Sequence, residues 1–159
     1  MEYPKRVRLG QPQDEDEVMQ LCRDLWAENG IFSLNETKVR ATLQNAFVKR
    51  GGILGVVGSP GKIEGLIYMV ISTFWYSDDP HLEELFLYVK PEYRKTKDAI
   101  DLMRFAKWCT QMTGFKLVIG VLSTERTKGK VRLYERQFDN PAGNFFIYDA
   151  PSTAVAAQH

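Results

Sequence analysis

"LEELFLYVKPEYRKTKDAIDLM", residues 82–103, decides how this chain folds. Its opening third is rich in aliphatic and aromatic side chains, the composition of a strand that begins at His81. The basic run Arg94-Lys95-Thr96-Lys97 reads as a tight turn. Beyond it, Ala99, Leu102, Met103, Ala106 and Cys109 line one side of a helix over 98–113, which Gly114 can end. A turn from a strand into a helix can cradle a phosphate, because the first N–H groups of a helix lack partners and sit at the positive end of its dipole. Such turns usually contain glycine, and this one contains none.

Upstream, Val18, Leu21, Cys22, Leu25 and Trp26 share one face of a helix over 14–29, with acids in its first turn. A second helix runs from Asn35 to about Phe47, with Ser33 and Glu36 at capping-box spacing. "ILGVVG", a Pro60-Gly61 turn and the run 63–76 predict a hairpin. The near-continuous apolar character of 66–76 suggests a central strand covered on both faces. Downstream, "KLVIGVL" (116–122) reads as a buried strand, 130–137 as a short helix and "NFFIY" (144–148) as a last strand. With "RVRLG" as the first strand, the order is β-α-α-β-β-β-α-β-α-β, a mixed α/β (α+β) sheet with helices on both faces. The chain reads as one domain over 1–150 and a frayed tail over 151–159.

The 159 residues carry a formal net charge of +1, which gives no reason to expect a nucleic-acid or membrane partner. The basic stretches "KPEYRKTK" and "RTKGK" leave a nucleic-acid binder open only against that overall balance. No segment is long and apolar enough to span a bilayer as a helix, and the charged N-terminal stretch does not read as a signal segment. Cys22 and Cys109 lie on apolar helix stripes and read as buried free thiols, which suits a reducing cytoplasm. The two histidines, His81 and His159, do not make a metal site, and His81 reads as a turn residue after Asp78-Asp79-Pro80.

The order of elements, "LEELFLYVKPEYR" and, about forty residues on, "VRLYER" (131–136) together resemble the GNAT acetyltransferase superfamily over residues 6–148. The resemblance implies a mixed, mostly antiparallel central sheet of six to seven strands. It also implies transfer of an acetyl group from acetyl-CoA to an amine, without a metal and in the cytoplasm, by a protein that can form a homodimer. Leu87, Tyr88 and Val89 would offer main-chain groups to the pantetheine arm. Arg94, Lys95, Thr96, Lys97, Asp98 and Ala99 would wrap the pyrophosphate. Arg94 and Ala99 match the family's Q/R-x-x-G-x-G/A, while Lys97 replaces its middle glycine. Asp98 suits the helix dipole but would repel a nearby phosphate. Thr127 stands where the family often has an asparagine that contacts CoA, and the Gly-Phe expected after "LYEK" is missing.

Tyr134 matches the family tyrosine near the CoA sulfur; a neutral phenol there can protonate the departing thiolate. It can equally be a tyrosine that packs on the sheet. For the base, the resemblance points to Glu84, with Glu83 on the opposite side of the strand as the other choice. Strict alternation puts Glu84 with Phe86 and Tyr88. The acceptor, a small-molecule or peptide amine, is not named by the sequence. A non-catalytic module of the same fold, binding CoA or a protein partner, is the alternative.

Overall fold

The apolar run after the Pro60-Gly61 turn becomes the centre of a five-stranded sheet in the computed structural model, which describes residues 1–151. The elements are β1 (Val7–Leu9), α1 (Glu15–Asn29), α2 (Glu36–Phe47), β2 (Gly52–Val57), β3 (Gly65–Ser72), β4 (His81–Val89), α3 (Asp98–Thr113), β5 (Lys116–Val118) and α4 (Thr127–Phe138). The strands lie in the order β1-β2-β3-β4-β5. Neighbours are antiparallel except β4 and β5, which α3 connects in parallel.

Both faces of β3 are sealed from Gly65 to Met69, which explains the unbroken hydrophobicity there. Leu66 and Tyr68 meet Val18, Met19, Leu21 and Cys22 of α1 and Leu43 of α2. Ile67 and Met69 meet Leu102, Phe105 and Ala106 of α3 on the other side. Each fully buried aliphatic side chain contributes about 1.5–3 kcal/mol relative to exposure, so the sheet is held as the middle of three layers. Gly61 closes the β2–β3 hairpin at φ 79, and Lys62 N–H donates to the Ser59 carbonyl at 2.9 Å. Gly114 stops α3 in the left-handed region at φ 73, where its N–H donates to Thr110.

Several expectations change. Among the described residues the sheet has five strands rather than six to seven. Residues 144–148 form no strand, and Phe145, Phe146 and Tyr148 remain 80–92% exposed. Strand-prone side chains make a strand only where a partner edge receives them, and β5 is just three residues long. It ends at Val118 rather than running to 122, because the chain then turns toward α1. Run 63–76 is strand only over Gly65–Ser72, and α4 begins at Thr127. The cap of α2 is Asn35, whose side chain accepts from Lys38 N–H, rather than Ser33. His81 is a buried β4 residue, not a turn residue; it pairs with Ser72 and Lys116 and stacks on Phe74 at 4.5 Å. Cys22 and Cys109 are buried and free. Of the tail expected over 151–159, residues 152 onward lie outside the described residues.

Candidate active site

The site arises where β4 and β5 part. Their ladder covers only His81, Leu82 and Glu83 against Lys116, Leu117 and Val118. One more link follows, from Gly120 N–H to Glu84 Oε2 at 3.4 Å. Beyond it the chain swings to the end of α1, where Lys130 Nζ donates to Asn29 Oδ1 at 2.8 Å and to Ser123 Oγ at 2.9 Å. The remainder of β4 is left with an open edge that borders a cavity of about 690 Å³.

A bulge sets which residues face this cavity. Tyr68 pairs with Phe86 and Met69 with Glu84, so Leu85 has no cross-strand partner. Glu84 therefore stands opposite Met69, whose side chain belongs to the α3 face, and not with Phe86 and Tyr88 as alternation suggests. Farther along, Lys90 N–H donates to the Glu64 carbonyl. That bond fixes the antiparallel alternation: Tyr88 gives its main chain to Leu66, while the main-chain groups of Leu87 and Val89 turn to the open edge. Of the three residues expected to meet pantetheine, two can do so. The Val89 carbonyl already accepts from Arg94 Nε at 3.0 Å.

Glu84 and Tyr134 of α4 line the same cavity. Burial pushes the Glu84 carboxyl up to about 7, against a small opposing effect of the Gly120 N–H. Tyr134 is raised well above the ordinary phenol value, first by burial and then by the charge of Glu84. Near pH 7 the carboxyl is poised between its two forms and the phenol is neutral. Glu83 also borders the cavity, but pairs with Val70 and lies 3.9 Å from His81 Nε2.

The turn into α3 keeps a set of unspent donors. Thr96 N–H donates to Tyr93, and Asp98 N–H donates to Thr96 Oγ1 at 3.2 Å. Among the described residues, the N–H groups of Lys95, Lys97, Ala99 and Ile100 make no hydrogen bond. Such a cluster at a helix N-terminus fits an anionic group. Lys97 caps the helix at φ −86 and ψ 3, a negative-φ conformation that does not require glycine. Asp98 does not face the turn's exterior: it is fully buried and accepts from Arg6 Nη2 at 2.6 Å. That guanidinium, which Asp101 and Glu64 share, offsets part of the expected repulsion of a phosphate.

Thr127 lies outside the cavity lining, and its hydroxyl donates to the Ser123 carbonyl at 2.9 Å. Arg126 and Lys130 line the cavity instead. Lys130 is detectable in the sequence as the residue one helical turn before Tyr134. Glu28, at the end of α1, also lines it, and nothing in its local sequence singles it out. No metal-holding group of His, Cys, Asp or Glu side chains occurs among the described residues, and no helix there is long and apolar enough to cross a membrane.

No protein-family model matches the sequence, and no curated protein sequence matches it. Solved structures do. An integron cassette protein from the mobile metagenome of Cole Harbour Salt Marsh aligns with a TM-score of 0.71 at 14% identity, covering 95% of this chain and 93% of its own. The structure of AAC(6')-Iy in complex with the bisubstrate analog CoA-S-monomethyl-acetylneamine aligns at 0.67 and 14% identity, covering 91% and 96%. A ribosomal-protein-alanine N-acetyltransferase from Brucella melitensis biovar Abortus 2308 aligns at 0.67 and 16%, with the same coverage. At these identities the likeness is one of fold: this chain has the fold of the GNAT acetyltransferases.

Proposed function

We propose that the protein is an acetyl-CoA-dependent N-acetyltransferase that moves the acetyl group directly to an amine. The observation that carries this is the pairing of Glu84 and Tyr134 at one end of the open β4 edge, with environments that suit them to opposite proton transfers. At the other end, the free N–H groups of 95–100 fit a diphosphate. The CoA arm would lie between, as an added strand on Leu87 and Val89.

In this reading Glu84 takes one proton from the acceptor ammonium, directly or through water. The neutral nitrogen forms a bond to the thioester carbonyl carbon and the C–S bond breaks. Tyr134 donates its proton to the departing sulfur and regains one from the adduct nitrogen. The products are an amide and a CoA thiol, with one proton left on Glu84 for solvent. A small-molecule or peptide amine in the cytoplasm, and a homodimer, remain part of the proposal.

A non-catalytic module is favoured by one observation: Arg94 and Thr127 are already engaged within the chain. Thiol release from acetyl-CoA across a panel of amines separates the readings. The enzyme reading expects release that depends on an amine; calorimetric binding of CoA with no release from any amine favours the module.

A further inference from the structure

Arg94 is the cation that a diphosphate in this cleft would be expected to reach, yet its fork is not empty. Its Nε donates to the Val89 carbonyl at 3.0 Å, and its Nη2 donates to Glu28 Oε1 at 2.5 Å. Glu28 comes from the last turn of α1, and the same oxygen lies 3.3 Å from the Tyr88 hydroxyl. The guanidinium carbon sits 5.5 Å above the Tyr88 ring. Nε and Nη2 lie on one side of the guanidinium, the side with which arginine grips an anion in two parallel bonds.

Of the carboxylates that line the cleft, Glu28, Glu83 and Glu84, it is Glu28 that bonds Arg94 directly. Lys130 has Glu28 and Glu125 as acidic neighbours and Arg94 and Arg126 as basic ones, and its own direct partners, Asn29 and Ser123, are neutral. Three cations therefore face the one α1 carboxylate that lines the cavity with them. Glu28 and Arg94 are also each about a quarter exposed, so solvent reaches the pair and the bond can open.

We propose that Glu28 is a specificity-determining gate: it holds Arg94 in the free protein and yields it only to a ligand carrying a diphosphate-like anion. A neutral thioester arm, by itself, does not compete for the guanidinium and leaves the pair closed. The gate sets how strongly binding depends on the phosphates, while Glu28 touches no reacting atom. This proposal rests on the CoA reading of the cleft for its natural ligand, but its chemistry requires only an anion.

The test is Glu28→Gln, which keeps an oxygen able to accept from Arg94 but removes the charge. Inorganic pyrophosphate, CoA and pantetheine are titrated calorimetrically into both proteins. The gate predicts roughly tenfold tighter pyrophosphate and CoA binding in the variant and unchanged pantetheine binding. It further predicts that the gain disappears in an Arg94→Gln background, which a general change in folding would not produce. If CoA binds but neither anion gains affinity, the gate is overturned and the CoA reading stands. If pyrophosphate gains and CoA binds neither protein, the gate stands and the CoA reading falls. If neither protein binds either anion, both fall.

Discussion

Replacing Glu84 by Gln tests the chemistry most informatively. Glutamine preserves the shape and can still accept from Gly120 N–H, so only the titration is lost. Burial moves the Glu84 carboxyl from 4.5 to about 7, equivalent to about 3 kcal/mol in favour of the protonated form. If the charged form must take the acceptor's proton, kcat/KM rises about tenfold between pH 6 and pH 8, because the ionised fraction does so. The variant loses that rise, and its turnover falls by about 10²- to 10⁴-fold. Stability carries the same signature with a definite sign. A carboxyl whose folded value lies above its unfolded one stabilises fully below about 4.5 and loses that contribution as pH rises through about 7. Glu84→Gln therefore gains on the wild type by about 2–3 kcal/mol more at pH 8 than at pH 5 in urea denaturation. An acceptor amine also titrates, but its inflection is common to both proteins and cancels in the comparison. Parallel pH profiles of rate for wild type and variant would refute the role of Glu84 as base.

Tyr134→Phe removes the hydroxyl proposed to protonate the leaving sulfur; turnover should fall by at least about tenfold while calorimetric affinity for CoA is unchanged. Lys97→Gly should not tighten CoA binding, since residue 97 sits at φ −86; a tighter dissociation constant would show that the turn needs a glycine after all. Asp139 ends α4 at φ 64 and ψ −151, a region nearly restricted to glycine. Asp139→Gly should raise stability by about 1 kcal/mol, read as a higher thermal midpoint.

The helices and the central strand were legible because a single physical cause dominates each. The 3.6-residue stripe of α1 and α3 and the two-sided burial of β3 both follow from apolar surface leaving water. The glycine missing after "LYER" also left a trace, since Asp139 now carries the positive φ in that region. Other features depend on partners far apart in sequence. Residues 144–148 have strand composition but no edge to pair with. The bulge at Leu85 breaks the alternation that assigns Glu84 to a face, and no residue type marks it. His81 is buried because Phe74 folds over it, and Asp98 is drawn inward because Arg6, 92 residues away in sequence, binds it. The Glu28–Arg94 pair spans 66 residues in the same way. For the candidate site, Tyr134, Glu84 and Arg94 stand in the motifs and Lys130 lies one helical turn before Tyr134, whereas Glu28 emerges only from the fold.

In the proposed function, acetyl-CoA lies along the open edge of β4 with its diphosphate on the turn before α3. Amide hydrogen exchange with and without acetyl-CoA tests it most directly. Exchange should slow at Leu87 and Val89 and at Lys95, Lys97, Ala99 and Ile100, the amides with no partner in the free turn among them. Unchanged exchange at these positions under saturating acetyl-CoA, or protection confined to another surface, would contradict it.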